Sequence, residues 1–381
     1  MQRANFDRQT RNSGVELLKV IGIILVIVSH VVNTVSGIEA YSPYQDYIVD
    51  IGLATANIQI LVLNMLRYSA SIGNTIFFVC SAWYLLDSSK IKGRKILQML
   101  MDVWIISVVF LIVVYVFRGG DIGIKLLIRE IFPTTFGNNW YITCYLLFYP
   151  IHPFLNTVIY KIGKSTLLKA TLVMLFLYVG MNYLYQGLFN SSALILWITI
   201  YFAIAYMKLY LADMSNDIKL NICVFMTGFL GNCGIAVLTN ILGLHMSFFS
   251  DKLLYWNTNC SPFILLMVIG SFNIARNMDF KNKAINYVSG LSMLIYIIHE
   301  NLLLRAYYRP MMWQYVYVNF GYDLILPWTF VIALIVFLFG LISSIVYKCT
   351  LQKLVTRAGD ALYPKLCSGY GRIEKIVFKL H

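Results

Sequence analysis

Glu16–Asn33 reads ELLKVIGIILVIVSHVVN, an apolar run long enough to cross a bilayer that nonetheless carries Glu16, Lys19 and His30. Ionisable groups inside a spanning helix are costly and mark pathways or reacting centres, so this stretch bears on fold and function together. Lys19 and His30 stand eleven residues apart. At about 100° per residue they fall within roughly 20° of each other around a helix and about 16 Å apart along it. One helical face then offers a cation near one membrane surface and an imidazole well inside. That face suits a long anionic ligand, with its phosphates at the mouth and its reactive end at the histidine. Glu16, one turn below Lys19, either pairs with it or ends the helix favourably near its N-terminus.

The rest of the chain has the same character. Of 381 residues, 59% are hydrophobic and only 12% charged, against about 25% charged in soluble domains. The fold class expected is all-α, a polytopic membrane helix bundle of about ten transmembrane helices. Spans are read at 15–37, 70–87, 97–117, 140–160, 167–186, 193–211, 219–242, 260–275, 285–304 and 326–347. Residues 58–66 are apolar but too short to span and read as an interfacial or re-entrant segment, after an outer loop at 38–56 with Pro43, Asp46 and Asp50. The first apolar run exceeds that of a cleavable signal and is read as retained. Three parts result: an N-terminal segment 1–14, a membrane domain 15–347 and a basic tail 348–381, whose Arg372–Leu380 stretch is amphipathic and suits anionic lipid.

Charge orients this arrangement. With the N-terminus inside and sides alternating, the inner segments hold most lysines and arginines; the outer ones hold only Arg118, Lys125, Arg129, Lys252, Arg305 and Arg309. That bias is the positive-inside pattern and puts both termini in the cytoplasm. The net charge of +13 is therefore read as topological, with no nucleic-acid partner implied. The seven cysteines show no metal-ligand spacing, and most sit inside apolar helices, where they read as small core residues. Tyr307, Tyr308, Trp313, Tyr315 and Tyr317 read as an interfacial aromatic belt. The chain has no GxSxG, Walker A, HExxH or dinucleotide-binding fingerprint. A metal shared by His30 and His299 lacks a plausible carboxylate set, so no metal is expected.

The Lys19–His30 spacing in the first membrane helix resembles that of the acyltransferase-3 family of bacterial membrane O-acyltransferases. GNTIFFVCSAW at Gly73–Trp83 and YIIHEN at Tyr296–Asn301 are similar to the same family, as is NWYI at Asn139–Ile142 followed by Pro150, His152 and Pro153. The resemblance runs over most of residues 11–350, and the order and spacing of the motifs carry it. It implies an O-acetyltransferase in the bacterial cytoplasmic membrane that moves an acetyl group from acetyl-CoA to a hydroxyl of a surface, capsular or exo-polysaccharide or its lipid-linked precursor. Acetyl-CoA would be a donor substrate, with no tightly bound cofactor. Its partners would be the glycan acceptor and membrane lipids; whether the chain forms homo-oligomers is left open.

The resemblance also assigns roles. His30 would be a general base toward the acceptor hydroxyl, an acyl-imidazole remaining an alternative, with His299 and Glu300 beside it as catalytic candidates. Lys19, Lys92, Arg94 and Lys95 would bind donor phosphates, with His152 along the donor channel. Asn74, Asn139, Trp140 and Arg305 would line the acceptor site or pocket. Buried ionisable residues and proline-broken helices also suit a secondary transporter or flippase of a lipid-linked glycan, although no inverted repeat is apparent. A structural partner of a glycan polymerase is a third reading.

Overall fold

The computed structural model describes residues 11–35, 57–185, 192–321 apart from 251, 254 and 257, and 323–377. The expected outer loop at 38–56 lies outside these residues, as do Arg3, Arg8 and all side chains of the amphipathic stretch at 372–380. The described residues are helical, with no strand. α1 (Ser13–Val35) is followed by α2 (Ile58–Leu66), α3 (Ser69–Leu85), α4 (Gly93–Phe117), α5 (Ile124–Ile131) and α6 (Trp140–Lys161). α7 (Lys164–Leu175) continues through a π turn to Leu184; α8 (Ala193–Tyr210), α9 (Ile218–Gly243) and α10 (Pro262–Arg276) come next. The chain then breaks twice, as α11 (Lys283–Ser289), α12 (Ser292–His299), a π turn at Leu304–Tyr308 and α13 (Arg309–Phe320). α14 (Ile325–Cys349) and α15 (Gln352–Val377) follow.

Seven of the described helices are long and apolar enough to cross a membrane: α1, α4, α6, α7 with its extension, α8, α9 and α14. The other three expected spans are helical but do not meet that measure. α3 has 17 residues and α10 has 15, and the stretch read as one helix at 285–304 is interrupted at Gly290–Leu291 and again after Glu300. The second break has a local cause. Asn301 turns its side-chain oxygen onto the N–H groups of Leu303 (3.2 Å) and Leu304 (3.4 Å), competing with the helical ladder.

α1 sits at the centre of the bundle. Of its spanning window 61% is buried, against 17% for the peripheral α9. Its lower turns join a core around Phe78, Phe148 and Trp197, and its upper turns join one around Ile295, Ile298 and Val336. The approach of α3 is close enough that a Cβ at Gly73 would lie 2.4 Å from the Gly22 carbonyl oxygen, so only glycine fits. α15 lies along α4, tied by Arg94–Asp360 at 3.4 Å.

Two sequence readings are corrected here. Of the seven cysteines only Cys80 and Cys144 are buried, while Cys223, Cys349 and Cys367 are exposed; thiols are apolar enough to face lipid as readily as core. Trp313 is not part of an interfacial belt. It is buried, and its indole N–H donates to the Val31 carbonyl at 3.2 Å, closing an α1 carbonyl against α13.

Candidate active site

The Lys19 end of α1 opens on a cavity of about 410 Å³ whose lining includes Arg11, Lys19, Lys95, Asn74, Tyr141 and Tyr296. Lys19 pairs with Glu16 at 3.2 Å, the turn-apart contact the spacing allows, and Glu16 also accepts the Ser289 hydroxyl. The carboxylate thus anchors Lys19 to α1 and α11 while leaving it in the cavity wall. Arg11 donates to the Asn286 carbonyl at 3.1 Å. Lys95 reaches in from α4, its ammonium 5.5 Å from the ring centre of Tyr149 and 5.9 Å from that of Tyr145. Three cations from three separate segments make this mouth electropositive. Its deep side ends at Tyr296, whose ring meets His299 edge-on with centroids 5.5 Å apart.

His30 and His299, 269 positions apart in the chain, stack with ring centroids 5.4 Å apart. His299 is buried at the end of α12, and its Nδ1 faces the Ile295 carbonyl at 2.9 Å. A carbonyl only accepts, so Nδ1 is assigned the proton and Nε2 of the neutral ring is an acceptor. His30 Nδ1 lies 2.8 Å from Glu300 Oε1 and 3.2 Å from His299 Nε2, both acceptors. Its proton is therefore assigned to Nδ1. His30 Nε2 then carries the free lone pair and has no hydrogen-bond partner among the described residues.

Glu300 is a buried carboxylate with cations around it. Arg309 donates to Oε1 at 3.1 Å and Arg305 to Oε2 at 3.2 Å. Arg309 also donates to the His299 carbonyl at 2.7 Å and the His30 carbonyl at 3.3 Å, so one buried guanidinium ties both histidine backbones to the carboxylate. Donors of this number are what a carboxylate needs in an apolar interior. His30, His299 and Glu300 also stand close enough to hold a metal ion. The two guanidiniums already supply positive charge to the same oxygens.

A second cavity, of about 300 Å³, reaches His299. Its walls include Phe110, Val113, Met312 and Phe339, with His299 and Arg309 at one end.

The chain matches the acyltransferase domain of the acyltransferase-3 family over residues 12–347. It belongs to the acyltransferase-3 family. It is thus a multi-pass membrane acyltransferase. No curated protein and no solved structure matches it.

In this acyltransferase seven of the twelve candidate residues fall into two groups. His30, His299, Glu300 and Arg305 form one cluster, and Lys19, Lys95 and Asn74 share one cavity. Arg305, expected at an acceptor site or pocket, pairs with Glu300. Lys92 and Arg94 do not line the cavity, because the start of α4 turns Arg94 away onto Asp360 and the ring of Tyr363 on α15. His152 is fully buried in α6 and bonds to the Tyr149 carbonyl one turn earlier, outside the cavity lining. Asn139 precedes α6 and is buried, and neither it nor Trp140 lines the cavity. Sequence reasoning missed Arg309 and Arg11. Arg309 read as an outer-side positive charge, and its depth follows only from the fold of α13 back onto α1.

Proposed function

We propose that this membrane acyltransferase is an O-acetyltransferase that moves an acetyl group from acetyl-CoA to a hydroxyl of a bacterial surface, capsular or exo-polysaccharide or its lipid-linked precursor. The observation that carries this reading is the His30–Glu300 pair, which holds the imidazole with Nδ1 protonated and Nε2 free. The donor would enter from the cytoplasm with its phosphates among Lys19, Lys95 and Arg11, the pantetheine arm running past Tyr141 and Tyr296 toward the histidines.

The chemistry follows from that tautomer. His30 Nε2 takes the proton of the acceptor hydroxyl as its oxygen attacks the acetyl carbonyl carbon. Glu300 stabilises the imidazolium through the Nδ1 hydrogen bond, and Arg305 and Arg309 keep Glu300 from reorienting. The tetrahedral intermediate collapses with cleavage of the C–S bond, and the thiolate leaves with the proton held at Nε2. The products are an O-acetyl ester and free coenzyme A thiol.

The second cavity favours a lipid-linked acceptor over a free polysaccharide. Its walls are hydrocarbon, and Val113 and Phe339 are exposed on the membrane-spanning α4 and α14, so it opens where lipid would lie. Radiolabelled acetyl-CoA supplied to the purified protein in detergent, with lipid-linked or tail-free glycan, tests both points. Transfer of label to the glycan is expected, with the lower KM for the lipid-linked form. His30→Ala should lower the rate about 10²–10⁴-fold, the usual effect of losing a positioned base. Retention of more than half the activity by that variant would overturn the reading. A glycan transporter would instead move its cargo only in sealed vesicles and label nothing.

A further inference from the structure

Close to the histidine pair lies a buried carboxylate that the mechanism does not use. Glu130, 1% exposed, stands at the end of the short α5 between α4 and α6. Its Oε2 accepts from Asn301 Nδ2 at 2.9 Å and its Oε1 from the Leu302 N–H at 3.0 Å. These are the two residues directly after Glu300, where the helical ladder is broken. Asn301 passes the effect on, its side-chain oxygen taking the N–H groups of Leu303 and Leu304. Within a bilayer such a break persists only where protein groups satisfy the freed backbone. α5 is itself anchored, Trp104 of α4 donating to the Ile131 carbonyl at 3.2 Å.

The break matters because both guanidiniums that hold Glu300 come from beyond it. His299 and Glu300 end α12 on one side; Arg305 and Arg309 come from the other side and return to the same carboxylate. A small change in the path of residues 301–303 would move both guanidiniums relative to Glu300, and Glu300 relative to His30. Burial pushes the carboxyl of Glu130 up to about 7, against hydrogen bonds from Ser107, Asn301 and the backbone of Leu302 and Leu303. Those donors partly offset the cost of burying the carboxyl.

We propose that Glu130 is a positioning residue: through Asn301 and Leu302 it fixes the chain break that aims Glu300 at the imidazole of His30. The inference rests on the acyltransferase reading of that pair, and it concerns a residue that touches neither substrate nor His30.

Glu130→Gln tests it, because the amide keeps the size of the side chain but replaces one acceptor by a donor facing a donor. The variant should lose about tenfold or more in kcat, since misplacement of the order of 1 Å costs that much. The KM for acetyl-CoA and the stoichiometry of donor binding should stay as in wild type, because Lys19, Lys95 and Arg11 are untouched. Asn301→Ala should act in the same direction, with the double variant no worse than Glu130→Gln alone. A second readout needs no turnover: the rate at which diethyl pyrocarbonate modifies His30, followed by mass spectrometry, should fall about threefold or more as the Glu300 hydrogen bond loosens. An unchanged modification rate, multiplicative losses in the double variant, or donor-binding stoichiometry falling together with kcat would each overturn the proposal. If wild type transfers no acyl group, the functional reading fails, while the modification rate still decides whether Glu130 sets the geometry of His30.

Discussion

At the scale of residues, Glu300 works because two arginines share it. With Arg309 removed, the carboxylate would keep Arg305 but lose the buried guanidinium that also binds the carbonyls of His30 and His299. Arg309→Met should therefore destabilise the protein by about 3–5 kcal/mol, the cost of leaving a buried charge short of its partner. The check is a thermal melt in detergent, and a loss below about 1 kcal/mol would show that Arg305 alone suffices. Lys19 is different, since it lies in a cavity wall and needs only to present charge. Lys19→Ala should raise the KM for acetyl-CoA with kcat little changed, and Lys19→Arg should recover part of the affinity. A dephosphorylated donor analogue should lose less on going to the Ala variant than acetyl-CoA does. Equal donor affinity in all three proteins would reduce Lys19 to a partner of Glu16.

At the scale of elements, the site depends on how closely α3 can approach α1. Gly73 faces the Gly22 carbonyl, and Asn74, the next residue, lines the donor cavity. Gly73→Val would push the two helices apart or strain them, at about 1–3 kcal/mol or more. A lower melting temperature together with weaker donor binding is expected, measured by thermal denaturation and by titration with coenzyme A. A variant with wild-type melting and binding would show that the helices separate without cost. The break after α12 is the other decisive element. A continuous helix through 299–309 would carry Arg305 and Arg309 onward along its axis, whereas the Asn301 cap and the π turn fold them back onto Glu300.

For the whole molecule, the proposed chemistry needs the Lys19 end of the bundle to face the cytoplasm, the orientation that the lysine and arginine bias predicts. In a cysteine-free background, Ser89→Cys and Ser368→Cys should resist an impermeant maleimide in intact cells and react after lysis. Asn319→Cys, at the opposite end by the same reading, should react in intact cells. Labelling at 368 from outside would mean an odd number of crossings. Labelling at 89 from outside would invert the first hairpin and remove the route from acetyl-CoA to His30.

The sequence by itself determined the membrane class and the positions of the long apolar helices, but not α5, α13, α15 or the breaks within 285–304. Each of these is local: an apolar run of about twenty residues is helical in a bilayer because a helix satisfies its backbone within the one segment, and the 3.6-residue period then decides which residues share a face. The family was legible through ordered motifs of the same local kind. The tertiary structure alone decided that His299 and Glu300 meet His30, that Arg309 is buried beneath them, and that Arg94 leaves the donor mouth for Asp360. These pairings join segments far apart in sequence, and no periodicity encodes them. Arg309 read only as an outer-side charge and Glu130 drew no reading, because their surroundings are supplied by other parts of the chain. They can remain buried only because groups brought in by the fold satisfy them, and that is a property of the packed bundle.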